Sequence, residues 1–168
     1  MITLMLNQAS TKQHAYKAGN IGISASKQAQ TLGQDDILVT ELSSFQLLGI
    51  SALHPHIAVL TNIYEAHTDY HGSRENYVKA KMRITMNQTA DDYFVVNWDN
   101  PEWRELSKQS QAQVVPFSRN NLSQKGAYLK DGILYFRDEA IMAAADIKVP
   151  GTHNVENALA ALAVAKLM

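Results

Sequence analysis

A chain of 168 residues, 46% of them hydrophobic, is sized for one domain with a sizeable core rather than for disorder. Its net charge of −1 is spread over interspersed acids and bases, without the basic stripe that nucleic acid requires. No apolar run reaches the roughly 18 residues needed to span a membrane. With no cysteine, disulfides and thiolate metal sites are excluded, so any metal must sit on oxygen or imidazole ligands.

The opening segment, Met1 to Ser10, is apolar but has no basic n-region and no small-residue cleavage site, so no signal peptide is expected and the expected location is cytoplasmic. Met1 to Gln8 reads as a helix with Ile2, Met5 and Leu6 on one face, and no capping residue precedes it. Gly19-Asn20-Ile21-Gly22 follows, then a short helix within Ser24 to Leu32. Ile37 to Thr40 is a continuous apolar run ending at Glu41, which reads as a strand buried on both faces. Ser43 to Ile50 reads as a helix and Ile57 to Leu60 as a second strand, closed by Thr61-Asn62. A polar loop with Tyr64, Glu65, His67, Asp69, Tyr70 and His71 comes next, and Arg74 to Gln88 has helical spacing. Tyr93 to Asn97 is a third strand, Pro101 to Gln109 a helix with proline near its start, and Val114 to Phe117 a fourth strand. Ala127 to Phe136 contains Asp131-Gly132, the signature of a tight hairpin. Pro150-Gly151-Thr152-His153-Asn154 leads into an alanine-rich helix to Met168, with Val155, Leu159, Leu162 and Lys166 as its core stripe. The alternation predicts an α/β fold: a mainly parallel sheet flanked by helices, with a small antiparallel hairpin.

In open α/β sheets, ligands bind beyond the carboxyl ends of the strands. Glu41 follows one strand directly, and Asn62 and the His67 loop follow the next. A carboxylate and an imidazole meeting there suit a divalent cation that also holds phosphates, although magnesium prefers oxygen ligands. The competing reading makes Glu41 a capping or surface residue and His67 simply a polar loop residue. Lys81 lies four residues after Tyr77 and three before Ile84, so the three share a helix face. A lysine on an inward face needs a partner or a function; otherwise it reaches solvent along its aliphatic stem. Gly19 and Gly22 suit close approach of backbone to a phosphate, or a turn with Asn20 left-handed. Asn154 suits a helix cap, while His153 and Asn157 share a face near a helix start able to receive a flat polar group or an anion.

Taken together, these segments resemble the Mur ligase family. Glu41-Leu42-Ser43-Ser44-Phe45-Gln46-Leu47 closely resembles a block of its D-glutamate-adding members. Asn62-Ile63-Tyr64-Glu65-Ala66-His67 with Asp69-Tyr70-His71-Gly72 resembles the next block in its Gram-positive form. Tyr77 to Ile84 is similar to the segment holding a modified lysine, Gly19 to Gly22 to the family's GNIG block, and Gly151 to Ala158 to the block that ends its central domain. The five blocks occur in family order and cover nearly the whole chain.

The resemblance implies an ATP-dependent ligase that adds D-glutamate to UDP-N-acetylmuramoyl-L-alanine through an acyl phosphate, in peptidoglycan precursor synthesis. It implies Glu41 on a magnesium that bridges ATP phosphates and His67 on a second magnesium. Lys81 would be carbamylated, hold that second metal and position the acyl phosphate. Asn20 and Ser43 would contact the muramoyl substrate. Asn154 and Asn157 would flank the adenine, with His153 close by. Two departures stand out. No G-x-x-x-x-G-K-[ST] phosphate-binding loop occurs anywhere in the sequence, and Ser24 stands where the family usually has proline. The expectation is therefore an incomplete central domain over residues 1–168. It would lack the loop, the internal strand ahead of it and the UDP-binding and D-glutamate-binding domains, and would be inactive by itself. The missing internal strand should leave unpaired backbone and exposed apolar surface. The alternatives are a non-catalytic remnant of the same fold, or a related ligase such as a folylpolyglutamate synthase, against which the Glu41 to Leu47 block argues.

Overall fold

The computed structural model describes residues 1–9, 13–64 and 67–168. Helices and strands alternate through α1 (Ile2–Ala9), β1 (Ala15–Gly19), α2 (Ala25–Ala29), β2 (Ile37–Glu41), α3 (Ser44–Leu48) and β3 (Ile57–Leu60). They continue through α4 (Thr68–His71), α5 (Arg74–Met82), β4 (Tyr93–Asn97), α6 (Pro101–Ser107) and β5 (Gln113–Ser118). Three short strands, β6 (Ala127–Lys130), β7 (Ile133–Phe136) and β8 (Glu139–Ala143), precede the closing helix α7 (Thr152–Leu167).

The strands form two ladders. β1 and β2 pair in parallel, and β3-β4-β5-β6-β7-β8 form a six-stranded sheet, parallel from β3 to β6 and antiparallel from β6 to β8. No ladder joins β2 to β3 among the described residues. The mainly parallel α/β reading therefore holds, with three differences. β1 had no sequence signal, because its pairing is supported from outside: the Asn7 side chain accepts from Ala15 N at 2.6 Å and donates to Ala15 O at 2.9 Å, taking the place of a strand partner. The Asp131-Gly132 turn has φ of 49° and 77°, the left-handed pair of a two-residue hairpin. The hairpin then gains β8 through a second tight turn, at which Arg137 has φ 52° without a glycine to announce it. β2 is only half-buried along its apolar residues, not buried on both faces, and among the described residues its ladder is with β1 alone.

Alternation along β4 divides the core. Val95 joins the cluster under α7 with Val115, Phe117 and Leu159, while Phe94 and Val96 point to the other face with Trp103, Tyr77 and Val78 of α6 and α5. α7 is buried without interruption from Ala158 to Val164, as a helix covered on all sides must be. Lys166 is not part of that core: it is exposed and pairs with Glu139 Oε2 at 2.6 Å.

At the pole where β3 and β4 begin, buried Asp92 binds two loops. Its carboxylate takes His54 Nε2 at 2.5 Å, His56 Nδ1 at 3.1 Å and the Thr89 backbone amide at 2.7 Å. The His54 hydrogen bond, ahead of the Thr89 amide, holds the Asp92 carboxyl far below its ordinary value of 3.8. A depressed carboxylate stabilises the fold fully above its unfolded-state value, and that contribution is lost as pH falls through the lower folded value. Asp92→Asn is expected to lower the melting temperature at pH 7 and to flatten the loss of stability below pH 3.8. Thermal melts between pH 7 and pH 2 check this; an unchanged acid limb would show that Asp92 does not carry it.

Candidate functional site

β2 delivers Glu41 to its carboxyl end beside Gly19, with the Asn20 amide donating to Glu41 O at 2.8 Å. Gly19 is required there twice over. Its φ is +121°, and a Cβ on it would stand 2.1 Å from the Glu41 carbonyl oxygen. Gly19 and Gly22, not Asn20, take the positive φ angles of this segment. Ser24 caps α2 by accepting from Lys27 N, so serine in place of proline has a local structural use.

Ser43 caps α3 in a reciprocal capping box: Gln46 N donates to Ser43 Oγ at 3.3 Å, and Ser43 N donates to Gln46 Oε1 at 2.9 Å. Buried Ser44 hydrogen-bonds His71 Nε2 at 3.0 Å. The exposed Phe45 ring lies 5.0 Å from His67, 4.6 Å from Tyr70 and 5.5 Å from His71. Arg83 holds the far end of α3, donating from Nε to Leu47 O at 2.8 Å and from Nη2 to Ile50 O at 2.7 Å. α3 is thus fixed at its start to α4 and at its end to the turn after α5.

His67 sits immediately before α4 with φ 55° and ψ 32°, a left-handed backbone that costs a non-glycine residue about 1 kcal/mol or more. Its ring is 6.3 Å from Tyr77, and the same Tyr77 ring lies under Lys81 Nζ at 5.9 Å. Lys81 is half-buried; desolvation lowers its pKa from the ordinary 10.5, and the charge of Glu41 opposes that shift. His67 and Lys81 therefore meet at the Tyr77 ring, and Lys81 lies within the field of Glu41, although β2, the loop after β3 and α5 supply the three separately. Glu65 lies outside the described residues. Asn62 Oδ1 accepts from Asn97 Nδ2 at 3.4 Å, which joins the ends of β3 and β4.

The second predicted group lies at the start of α7. Gly151, with φ 106°, occupies the cap position, so Asn154 is not the cap; it lies inside the first turn, and its Nδ2 donates to Pro150 O at 2.6 Å. Asn157 Nδ2 approaches Asn154 Oδ1 at 3.4 Å. The exposed His153 ring folds back over Gly151, where an added Cβ would meet it at 2.6 Å. Arg119, just past β5, pairs with Glu156 Oε1 at 3.1 Å, and its backbone amide donates to Asp99 Oδ2 at 2.7 Å.

Among the described residues, no three His, Asp or Glu side chains form a ready metal site. Glu41 and His67 are two side chains that could hold a cation, which Lys81 as an ammonium would repel. The chemistry of the three would fit a divalent cation only with a carboxylate on the Lys81 nitrogen. An open groove of about 440 Å³ between α3, α4 and α5 is lined by Leu48, Tyr70 and Arg83 among others, and by none of these three.

The Mur ligase middle domain family matches residues 1–165, and the chain belongs to it. It is 70% identical over 167 residues to the UDP-N-acetylmuramoylalanine--D-glutamate ligase of Lactiplantibacillus plantarum, covering 99% of this chain and 36% of that protein. It is 66% identical over 167 residues to the ligase of the same name from Ligilactobacillus salivarius, again covering 36% of that protein. The chain thus spans about a third of the length of these relatives. Among solved structures, the MurF ligase of Thermotoga maritima in complex with ADP superposes with a TM-score of 0.69 at 19% identity, covering 99% of this chain and 41% of that one. The UDP-N-acetylmuramate:L-alanyl-gamma-D-glutamyl-meso-diaminopimelate ligase of Neisseria meningitides gives 0.64 at 15% identity, with 98% and 56% covered. At these identities the two structures establish the fold. No helix among the described residues is long and apolar enough to cross a membrane.

Two substitutions separate backbone demands from chemistry. Gly19→Ala is expected to destabilise by about 1–3 kcal/mol from conformation alone, before the clash with Glu41 is counted. Ser43→Ala is expected to cost about 1 kcal/mol through loss of the capping box. Urea denaturation measures both; a neutral Gly19→Ala would contradict the close approach to Glu41.

Proposed function

We propose that this chain is the ATP-handling segment, one incomplete domain, of a ligase that joins D-glutamate to UDP-N-acetylmuramoyl-L-alanine. The meeting of His67 and Lys81 at Tyr77, with Lys81 within the field of Glu41, carries the reading, and the named relatives at 66–70% identity supply its substrate class. In this reaction the terminal phosphoryl group of ATP passes to the substrate carboxylate, ADP leaves, and an acyl phosphate results. The amine of D-glutamate attacks the acyl carbon, loses a proton, and inorganic phosphate departs as the amide forms. Bound at this site, magnesium offsets the negative charge of the phosphates and carboxylate as the substrates meet.

The chain's own residues prepare that site. Burial raises the fraction of neutral Lys81 amine at a given pH. The neutral amine attacks carbon dioxide, an N–C bond forms, one proton goes to solvent, and a carbamate anion remains. That anion, Glu41 and His67 then form a ligand set for magnesium. Asn20 and Ser43 flank this set and face the muramoyl substrate, while Asn154, Asn157 and His153 receive the adenine. The location proposed is the cytoplasm, where ATP is available.

With [13C]bicarbonate, a carbamate carbon resonance is expected in the 168-residue protein and is expected to vanish in Lys81→Ala. Its pH onset should fall below the ordinary lysine value of 10.5. Function is tested by a chimera in which this segment replaces its counterpart in the Lactiplantibacillus plantarum ligase. The chimera is expected to form the amide, and Glu41→Ala, His67→Ala or Lys81→Ala to lower kcat roughly 100-fold or more, the scale of losing a charge-stabilising group. A folded chimera that turns over normally with all three replaced would sink the assignment. The 168-residue protein by itself is expected to show no turnover, because its sequence holds no phosphate-binding loop.

A further inference from the structure

We infer that His71 is a positioning residue: through Ser44 on one side and Tyr77 on the other, it sets the spacing of Glu41, His67 and Lys81. The inference rests on the reading of those three residues as a ligand set.

His71 is only 8% exposed, unlike the exposed Asp69 and Tyr70 before it. Nothing in the proposed chemistry uses it. Its Nε2 lies 3.0 Å from Ser44 Oγ, itself 2% exposed, so each buried polar atom satisfies the other. Its ring stacks on Phe45 at 5.5 Å with planes 26° apart and meets Tyr77 at 5.3 Å. Its carbonyl accepts from Asn76 Nδ2 at 2.9 Å, which ties α4 to the first turn of α5.

Each contact leads to one candidate ligand by a short path. Ser44 is three residues beyond Glu41, at the first position of α3. His67 is one helical turn before His71 in the same short segment. Tyr77 carries the Lys81 amine over its ring and the His67 ring at its edge. His71 thus lies in α4 and touches both α3 and α5. A buried hydrogen bond between a histidine and a serine across 27 residues fixes distance and orientation together, which apolar packing alone does not.

Two readouts in the 168-residue protein test this with Ser44→Ala, His71→Ala and His71→Gln. The first is Mn2+ binding in the presence of bicarbonate, followed by electron paramagnetic resonance. Ser44→Ala and His71→Ala are expected to weaken binding about 10–100-fold, the usual effect of removing a group that orients metal ligands. His71→Gln, which keeps a hydrogen-bonding group near Ser44, is expected to recover part of that loss. The second needs no metal: nuclear Overhauser contacts between the His67 and Tyr77 rings should disappear in Ser44→Ala, while those between Phe94 and Trp103 in the core persist. Ser44→Ala removes one oxygen, so it remains informative if His71→Ala does not fold. Unchanged His67–Tyr77 contacts in Ser44→Ala would overturn the inference. If the parent itself takes up no Mn2+, the metal reading fails, and the ring contacts still decide the positioning role.

Discussion

A lysine amine held half out of water, over the Tyr77 ring and within the field of Glu41, is the constraint from which the rest of the site follows. An ammonium in that place loses hydration and regains part of it from one carboxylate and one aromatic face. There are two ways to settle it. If Lys81 stays a cation, it and Glu41 satisfy each other and His67 has no part. If Lys81 becomes an anion, it and Glu41 repel until a cation lies between them, and the imidazole nearby becomes a third ligand. His67 holds a left-handed backbone immediately before α4, a strained conformation of the kind found at functional sites.

The fold brings this about with few devices. Parallel strands place their carboxyl ends on one edge, so the residue after each strand faces the same space. Gly19 lets β1 and β2 end in direct contact, where any side chain would strike the Glu41 carbonyl. The capping box starts α3 two residues after Glu41, and Arg83 stops it by taking the carbonyls of Leu47 and Ile50. With both ends fixed, α3 offers Ser44 and Phe45 to α4 as a rigid edge. The Asp92 cluster does comparable work at the opposite pole, binding the loops that enter β3 and β4, so each strand is anchored at the end away from the chemistry as well.

Much of this was legible in the sequence. Apolar runs at Ile57–Leu60, Tyr93–Asn97 and Val114–Phe117 read as strands because β-branched and aromatic residues fill positions covered on both faces, and Asp131-Gly132 declared its turn. The strand-end rule and the face shared with Tyr77 marked Glu41, His67 and Lys81 only as candidates beside plainer readings, and the roles given to them came from the family resemblance. What stayed hidden depends on partners distant in sequence. β1 is held by the Asn7 amide, an interaction no local pattern encodes. The short helix Thr68–His71 has no side-chain cap, and the Ser44–His71 bond joins two motifs that each look complete. Asn154 has the composition of a cap, but Gly151 takes that position by reaching φ 106°, which asparagine does not readily adopt.

The motif residues also have to serve two masters. Ser43 Oγ already accepts from Gln46 N and lies 3.1 Å from Gln46 Oε1, so a substrate contact at Ser43 must share the hydroxyl or loosen the start of α3. Asn154 likewise has its amide on Pro150 O, at 2.6 Å, while its contact with Asn157 is long at 3.4 Å. A flat base bearing both a donor and an acceptor can therefore displace the weak Asn154–Asn157 contact at little cost and leave the strong one intact. The same logic makes Ser44 the better placed of the two serines for a fixed structural role. Buried and already matched to His71, it has nothing to offer a ligand, and the geometry it holds is available before any ligand arrives.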